Sequence, residues 1–193
     1  MLFINTNYVL GHYQVFPYEC NFKKGMENKF GNVLVEKVKT FIIEYPYVEK
    51  EWRDLYSLHY CKTNYKKTKP FTYRVHLLSD EIDDVKNIIV NSETHISESY
   101  MGYITLRPLP VAIISKIVID PRKYFSNLEE DEELFMITAK YVVNIKEKEI
   151  KFRAFPLFCQ DSVVTVCIHA TGLMLSDLMH RRYGNNKLSI ASR

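Results

Sequence analysis

Apolar positions change their spacing part-way along this chain. Between Asn28 and Tyr45, Val33, Val35, Val38, Phe41 and Ile42 recur two to four residues apart with Lys and Glu between them. That period predicts a helix, ended by Pro46. A second helix is expected from about Val48 to Asn64, with Trp52, Leu55, Tyr56, His59 and Tyr60 inward. Glu49, Lys50, Glu51, Arg53 and Asp54 would then face water, and the lysines at 62, 66, 67 and 69 suit the negative end of the dipole. Beyond Pro70 the pattern shortens. Thr72–Leu78 alternates as a strand does, Glu81–Val90 fits a short helix, and Tyr100–Leu109 and Ile113–Ile119 read as strands. Leu134–Ile145 and Ile150–Phe158 predict a hairpin around the charged tip Lys146–Glu149. A last helix is expected from about Ser162 to Tyr183, closed by Gly184.

Helices, then strands, then a helix predict a single α+β domain. Residues 1–69 would be mainly helical and 70–158 β-rich, with the final helix and tail over 159–193. The architecture would be an N-terminal helical pair, a central antiparallel or mixed sheet, and a C-terminal helix packed on it.

Composition narrows the classes. The 193 residues are 47% hydrophobic and 25% charged, which excludes wholesale disorder. The net charge of +3 is small for a dedicated nucleic-acid binder. No run approaches the roughly 18–20 apolar residues that span a bilayer, and the first residues lack a secretory pattern. Cys20, Cys61, Cys159 and Cys167 show no CxxC spacing, so reduced thiols and a cytoplasmic location are expected.

The segment with chemical content is Phe155-Pro-Leu-Phe-Cys-Gln-Asp161 followed by Cys167-Ile-His-Ala170. It would set Cys167 near a helix start, where free amides and the dipole favour the nucleophilic thiolate form. Gln160, seven positions earlier, could donate a hydrogen bond to a developing oxyanion. Gln, a short gap, then Cys opening a buried helix resembles the nucleophile region of papain-like cysteine peptidases, including bacterial double-glycine leader peptidases. Tyr47-Val-Glu-Lys-Glu-Trp52, Arg74-Val-His-Leu-Leu78 and Tyr100-Met-Gly-Tyr-Ile-Thr-Leu-Arg-Pro-Leu109, in the same order, extend the likeness over most of residues 47–183. The whole arrangement resembles a family of poorly characterised bacterial proteins with a papain-like cysteine site. The resemblance implies a papain-like half-domain, hydrolysis of a peptide or amide bond, Cys167 as nucleophile and Gln160 as oxyanion donor.

Three features depart from that pattern. The Gln-to-Cys gap is one residue longer than is usual, and Ile168 stands where Gly or Ser is common. The family also takes its general-base His, with an Asn or Asp, from strands far downstream. His169 lies about 200° around the helix from Cys167, and His180 about 20 Å along it, so neither can serve. Three readings remain: the N-terminal portion of a longer enzyme, a truncated silent domain, or a base supplied by an upstream His (12, 59, 76 or 95).

Plainer readings stand beside these. Cys167 can be a small buried hydrophobe, Gln160 a surface residue, and Asp161 or Ser162 a helix cap. Cys159, Cys167 and His169 lack a zinc-ligand spacing, and His59 and Cys61 face different ways, so neither metal nor cofactor is expected. Lys62–Lys69 reads as a solvated helix end rather than a phosphate patch, and Glu129–Glu133 as an exposed loop. If Arg107 turns inward it needs a carboxylate or carbonyl partner; otherwise it reaches the sheet edge beside Pro108. The rival function is a non-catalytic module whose tyrosines bind a protein or peptide partner, or a second copy as a homo-oligomer.

Overall fold

The computed structural model describes residues 2–5, 37–62, 68–82, 97–109, 112–124, 135–145, 148–161 and 167–189. Its strands are β1 (Leu2–Asn5), β2 (Thr40–Tyr47), β3 (Thr72–Leu78), β4 (Tyr100–Leu106), β5 (Ile114–Ile119), β6 (Ala139–Ile145) and β7 (Lys148–Phe158). They form one curled sheet in the order β1-β2-β3-β4-β5-β7-β6, every neighbouring pair antiparallel. Helix α1 (Lys50–Leu55) runs into a π-helical turn at Tyr56–Tyr60, α2 (Pro121–Tyr124) is a single turn, and α3 (Cys167–Tyr183) packs on β7 and β6. The fold is α+β.

Where the first predicted helix should reach Tyr45, the chain is instead strand β2 from Thr40. Phe41, Ile42 and Ile43 are all buried, because both faces of this part of the sheet are covered. Phe41 and Ile43 join Val75, Leu77, Met101, Ile104 and Ile117 on one face. Ile42 joins Leu78, Tyr103, Val118, Tyr141 and Phe152 on the other. A strand buried on both sides reads as an unbroken apolar run, which periodicity alone cannot separate from a helix. The first helix therefore does not extend to Tyr45, and β1 and β2 fall within the stretch expected to be mainly helical; residues 28–36 lie outside the described residues. So do most of the short helix expected over 81–90 and the acidic run 129–133.

The other strands follow the pattern closely. β3 has the expected limits, and β6 and β7 form the predicted hairpin. Strict alternation in β6 buries Tyr141, Val143 and Ile145 while Lys140, Val142 and Asn144 face outward. In β4 the register shifts between Leu77 and Leu78 of β3, so Tyr100 and Tyr103 reach the same core although they lie three positions apart. Gly102 lies in that irregularity with φ 142°. Helix α3 buries Ala170, Leu173, Asp177 and Leu178, a one-sided helical spacing. It ends as predicted: Gly184 has φ 75° and its N–H donates to the His180 carbonyl at 2.9 Å.

Candidate functional site

Strand β7 delivers Gln160, and α3 delivers Cys167. The last paired position of β7 is Phe158 opposite Lys116, and the Cys159 N–H continues the ladder to the Ser115 carbonyl at 2.8 Å. Gln160 follows, exposed, and the Cys167 thiol donates to its side-chain carbonyl Oε1 at 3.2 Å. Cys167 is exposed too, contrary to the reading of a buried hydrophobe. The two residues singled out in the sequence therefore meet at the surface.

Buried neighbours hold Gln160 on both sides. Arg107 turns inward, 3% exposed, and its guanidinium donates to the Ile114 carbonyl at 3.1 Å and to the Cys159 carbonyl. This is the carbonyl partnership that an inward Arg107 requires. On the other side, the Asp161 carboxylate accepts from the Tyr60 hydroxyl at 2.8 Å. Asp161 is thus tied to the π-helical turn. Tyr60 packs against Trp52 with ring centroids 5.1 Å apart, and the Trp52 indole N–H donates to the Lys69 carbonyl at 2.9 Å. Tyr60→Phe removes a buried hydrogen bond to a carboxylate and is expected to cost about 1.5–3 kcal/mol in urea unfolding. A change below about 0.5 kcal/mol would show that Asp161 is held by other means.

Beneath this pair lies an ionic cluster that periodicity does not reveal. Glu49 and Glu51, expected to face water, are 3% and 6% exposed. Glu49 accepts from the Thr105 hydroxyl at 2.7 Å and the Ser115 hydroxyl at 2.6 Å. Asp177 on α3, fully buried, accepts from the Tyr141 hydroxyl at 2.6 Å and from Arg181 Nε at 3.1 Å, with Lys116 Nζ at 3.6 Å. The Arg181 guanidinium lies 3.8 Å from the Tyr141 ring centroid, and Lys116 4.6 Å from that of Phe158. Burial pushes the Lys116 pKa down, with Glu51 and Asp177 working against that shift. The only sequence sign of this cluster is a lysine inside the apolar strand β5 and an aspartate on the buried stripe of α3.

The described candidate bases His59 and His76 lie elsewhere. His76, a candidate upstream base, is buried in β3, its Nδ1 sharing a hydrogen bond with the Tyr100 hydroxyl at 2.8 Å and its Nε2 3.5 Å from Glu44. Burial lowers its pKa, against the pull of Glu44. His59 is on the π-helical turn and edge-on to Tyr60, while His12 and His95 lie outside the described residues. Among the described residues no histidine is bonded to Cys167. Cys159 packs with the core on the opposite face of the sheet, away from the exposed Cys167. Cys61, Cys159 and Cys167 are free thiols. No group of three or more His, Cys, Asp or Glu among the described residues is arranged to hold a metal ion. No helix among them is long and apolar enough to cross a membrane.

An open basin is lined by Lys37, Lys39, Ser79, Glu98, Met101, Asp120, Arg122 and Lys123. It shares no residue with the thiol–amide pair or the ionic cluster. Three of its cations are committed by hydrogen bonds: Lys37 to the Tyr124 carbonyl, Arg122 to Asp120, and Lys123 to the carbonyls of Ser97, Glu98 and Tyr100.

No protein-family model, curated protein or solved structure matches the chain.

Proposed function

We propose that this chain is the N-terminal portion of a papain-like cysteine hydrolase acting on a peptide or amide bond. Cys167 is the nucleophile, Gln160 the oxyanion donor, and the general base comes from outside the described residues. The observation that carries the reading is the 3.2 Å approach of the Cys167 thiol to the Gln160 amide, with both groups open to solvent. A half-turn of the terminal amide presents Nε2 instead of Oε1 at the same place, where it would donate to an oxyanion. Arg107 and Tyr60 would keep that amide in position, because both of its backbone neighbours are tied down. The test is alkylation of the full chain by iodoacetamide near neutral pH. Cys167 is expected to react about tenfold or more faster than Cys61, which is also exposed and serves as the internal control. Equal rates at the two positions would remove the hydrolase reading.

A second reading is a non-catalytic module that binds a protein or peptide partner or self-associates. Ile168 and Leu175, 75% and 59% exposed, lie seven residues apart on α3 and so share one outward face. This reading predicts a concentration-dependent mass in light scattering that Ile168→Lys abolishes and Cys167→Ala leaves intact.

A further inference from the structure

The tail after α3 folds back over the ionic cluster. His180 bonds the Asn185 carbonyl at 2.6 Å, the Leu188 N–H donates to Ser176 Oγ at 2.7 Å, and the Ser189 hydroxyl bonds Asp54. Between them the Lys187 ammonium enters a gap between α1 and α3, 2.5 Å from Glu51 Oε1 and 2.8 Å from Asp177 Oδ1. Both oxygens are shielded from solvent, and neither has another partner among the described residues. The other oxygen of Asp177, Oδ2, is already held by Tyr141 and Arg181.

From this geometry we infer that Glu51 and Asp177 form a binding seat for a primary ammonium group, occupied here by the chain's own Lys187 and open to a lysine side chain or small amine when the tail lifts. Charge supports it. The Lys187 ammonium lies between two carboxylates, Glu51 and Asp177, and both favour its charged form. Two buried carboxylate oxygens without a donor are costly, and a compact ammonium with three N–H groups can serve both. The tail is also lightly held. Leu188 is 58% exposed, so Lys187 and a few hydrogen bonds hold the strap rather than apolar burial. Lys187 is itself 19% exposed at its side chain, which leaves a path from solvent to the seat. The seat involves neither Cys167 nor Gln160 and does not depend on the hydrolase reading.

Chemical rescue of the full chain tests the inference. Lys187→Ala is expected to lower the thermal midpoint, and n-propylammonium chloride to restore most of the loss in a saturable way. Tetramethylammonium chloride and sodium chloride at the same ionic strength should not, since neither offers N–H groups. Nα-acetyl-lysine N-methylamide separates the sources: restoration by it alone points to a peptide lysine, and restoration by both probes to any primary amine. A variant that melts like the parent, or recovers equally in all the salts, overturns the proposal. Should Lys187→Ala fail to fold, hydrogen exchange of the Leu188 amide in the parent chain decides. Propylammonium should speed it several-fold by displacing the tail and tetramethylammonium should not; no difference between them overturns the seat.

Discussion

Asp177→Ala is expected to destabilise the protein by about 3–5 kcal/mol, a large share of the roughly 5–15 kcal/mol that keeps a typical domain folded. The carboxylate is fully buried and answers the Tyr141 hydroxyl and three cations, Lys116, Arg181 and Lys187. Removing it leaves Lys116, itself 5% exposed, without its partner from α3. Glu51 then faces both Lys116 and Lys187, and an under-compensated buried ammonium costs more than the pair contributed. Asp177→Asn keeps the volume and a partner for Tyr141 but removes the charge, so its loss should be smaller and of the same sign. Urea titration at pH 7 measures both. A loss under about 1 kcal/mol for Asp177→Ala would show the cluster to be well solvated.

The same cluster gives stability a definite pH dependence. Burial works against the ionised carboxyl of Asp177, but Lys116 and Arg181, with hydrogen bonds from Lys187 and Tyr141, hold its pKa well below the ordinary range. Burial likewise opposes Glu51 and is overcome by Lys116 and Lys187; at Glu44 it is overcome by His76 and Arg74. A carboxyl whose folded pKa is depressed stabilises the fold above its unfolded value, near 4 on the usual scale, and loses that contribution as pH falls. Glu49 has the opposite sign. Burial and then Glu51 raise its pKa, so its contribution declines as pH climbs above about 4 and is constant below it. The acid limb below about pH 4 therefore belongs to Asp177, Glu51 and Glu44, and Asp177→Asn should flatten it.

Gly102→Ala is expected to cost about 3 kcal/mol or more. A Cβ at this position would stand 2.1 Å from the Val118 carbonyl oxygen and 2.7 Å from the Ile119 Cα, both main-chain atoms of β5. No side chain can rotate away to make room, so β4 and β5 would have to separate where the ladder is in register from Gly102–Ile119 to Thr105–Lys116. The φ of 142° adds strain for any residue with a Cβ. Circular dichroism melting of the variant provides the check, and Gly172→Ala is the control, since nothing lies within 4 Å of a Cβ there. Equal midpoints for the two variants would mean the strand pair is loose at Gly102.

Local pattern carried the reading as far as local forces shape the chain. The limits of β3, the β6–β7 hairpin and the glycine stop of α3 were legible because each depends on alternation or on a cap. The meeting of Gln160 with Cys167 was legible from their spacing, since a strand end and a helix only a few residues apart have few ways to be joined. Strand β2 was not, because covering both of its faces erased the alternation that marks a strand. Nor were the buried positions of Glu49 and Glu51: their partners Thr105, Ser115, Lys116 and Lys187 come from remote parts of the chain. Acids in the first turn of a helix look alike whether they meet water or a buried lysine.

The sheet is two-faced in an uneven way. In β3, β4 and β5 almost every position touches core on one side or the other, whereas in the β6–β7 hairpin alternate residues stand clear. Sequence drift therefore has little room in the middle of the sheet, where a change on either side disturbs packing. It has ample room at Lys140, Val142, Asn144, Lys151, Arg153 and Leu157, all on the outer surface of that hairpin. A new surface property, such as a patch of charge or an altered partner preference, can evolve on that flank without disturbing the central strands β3, β4 and β5.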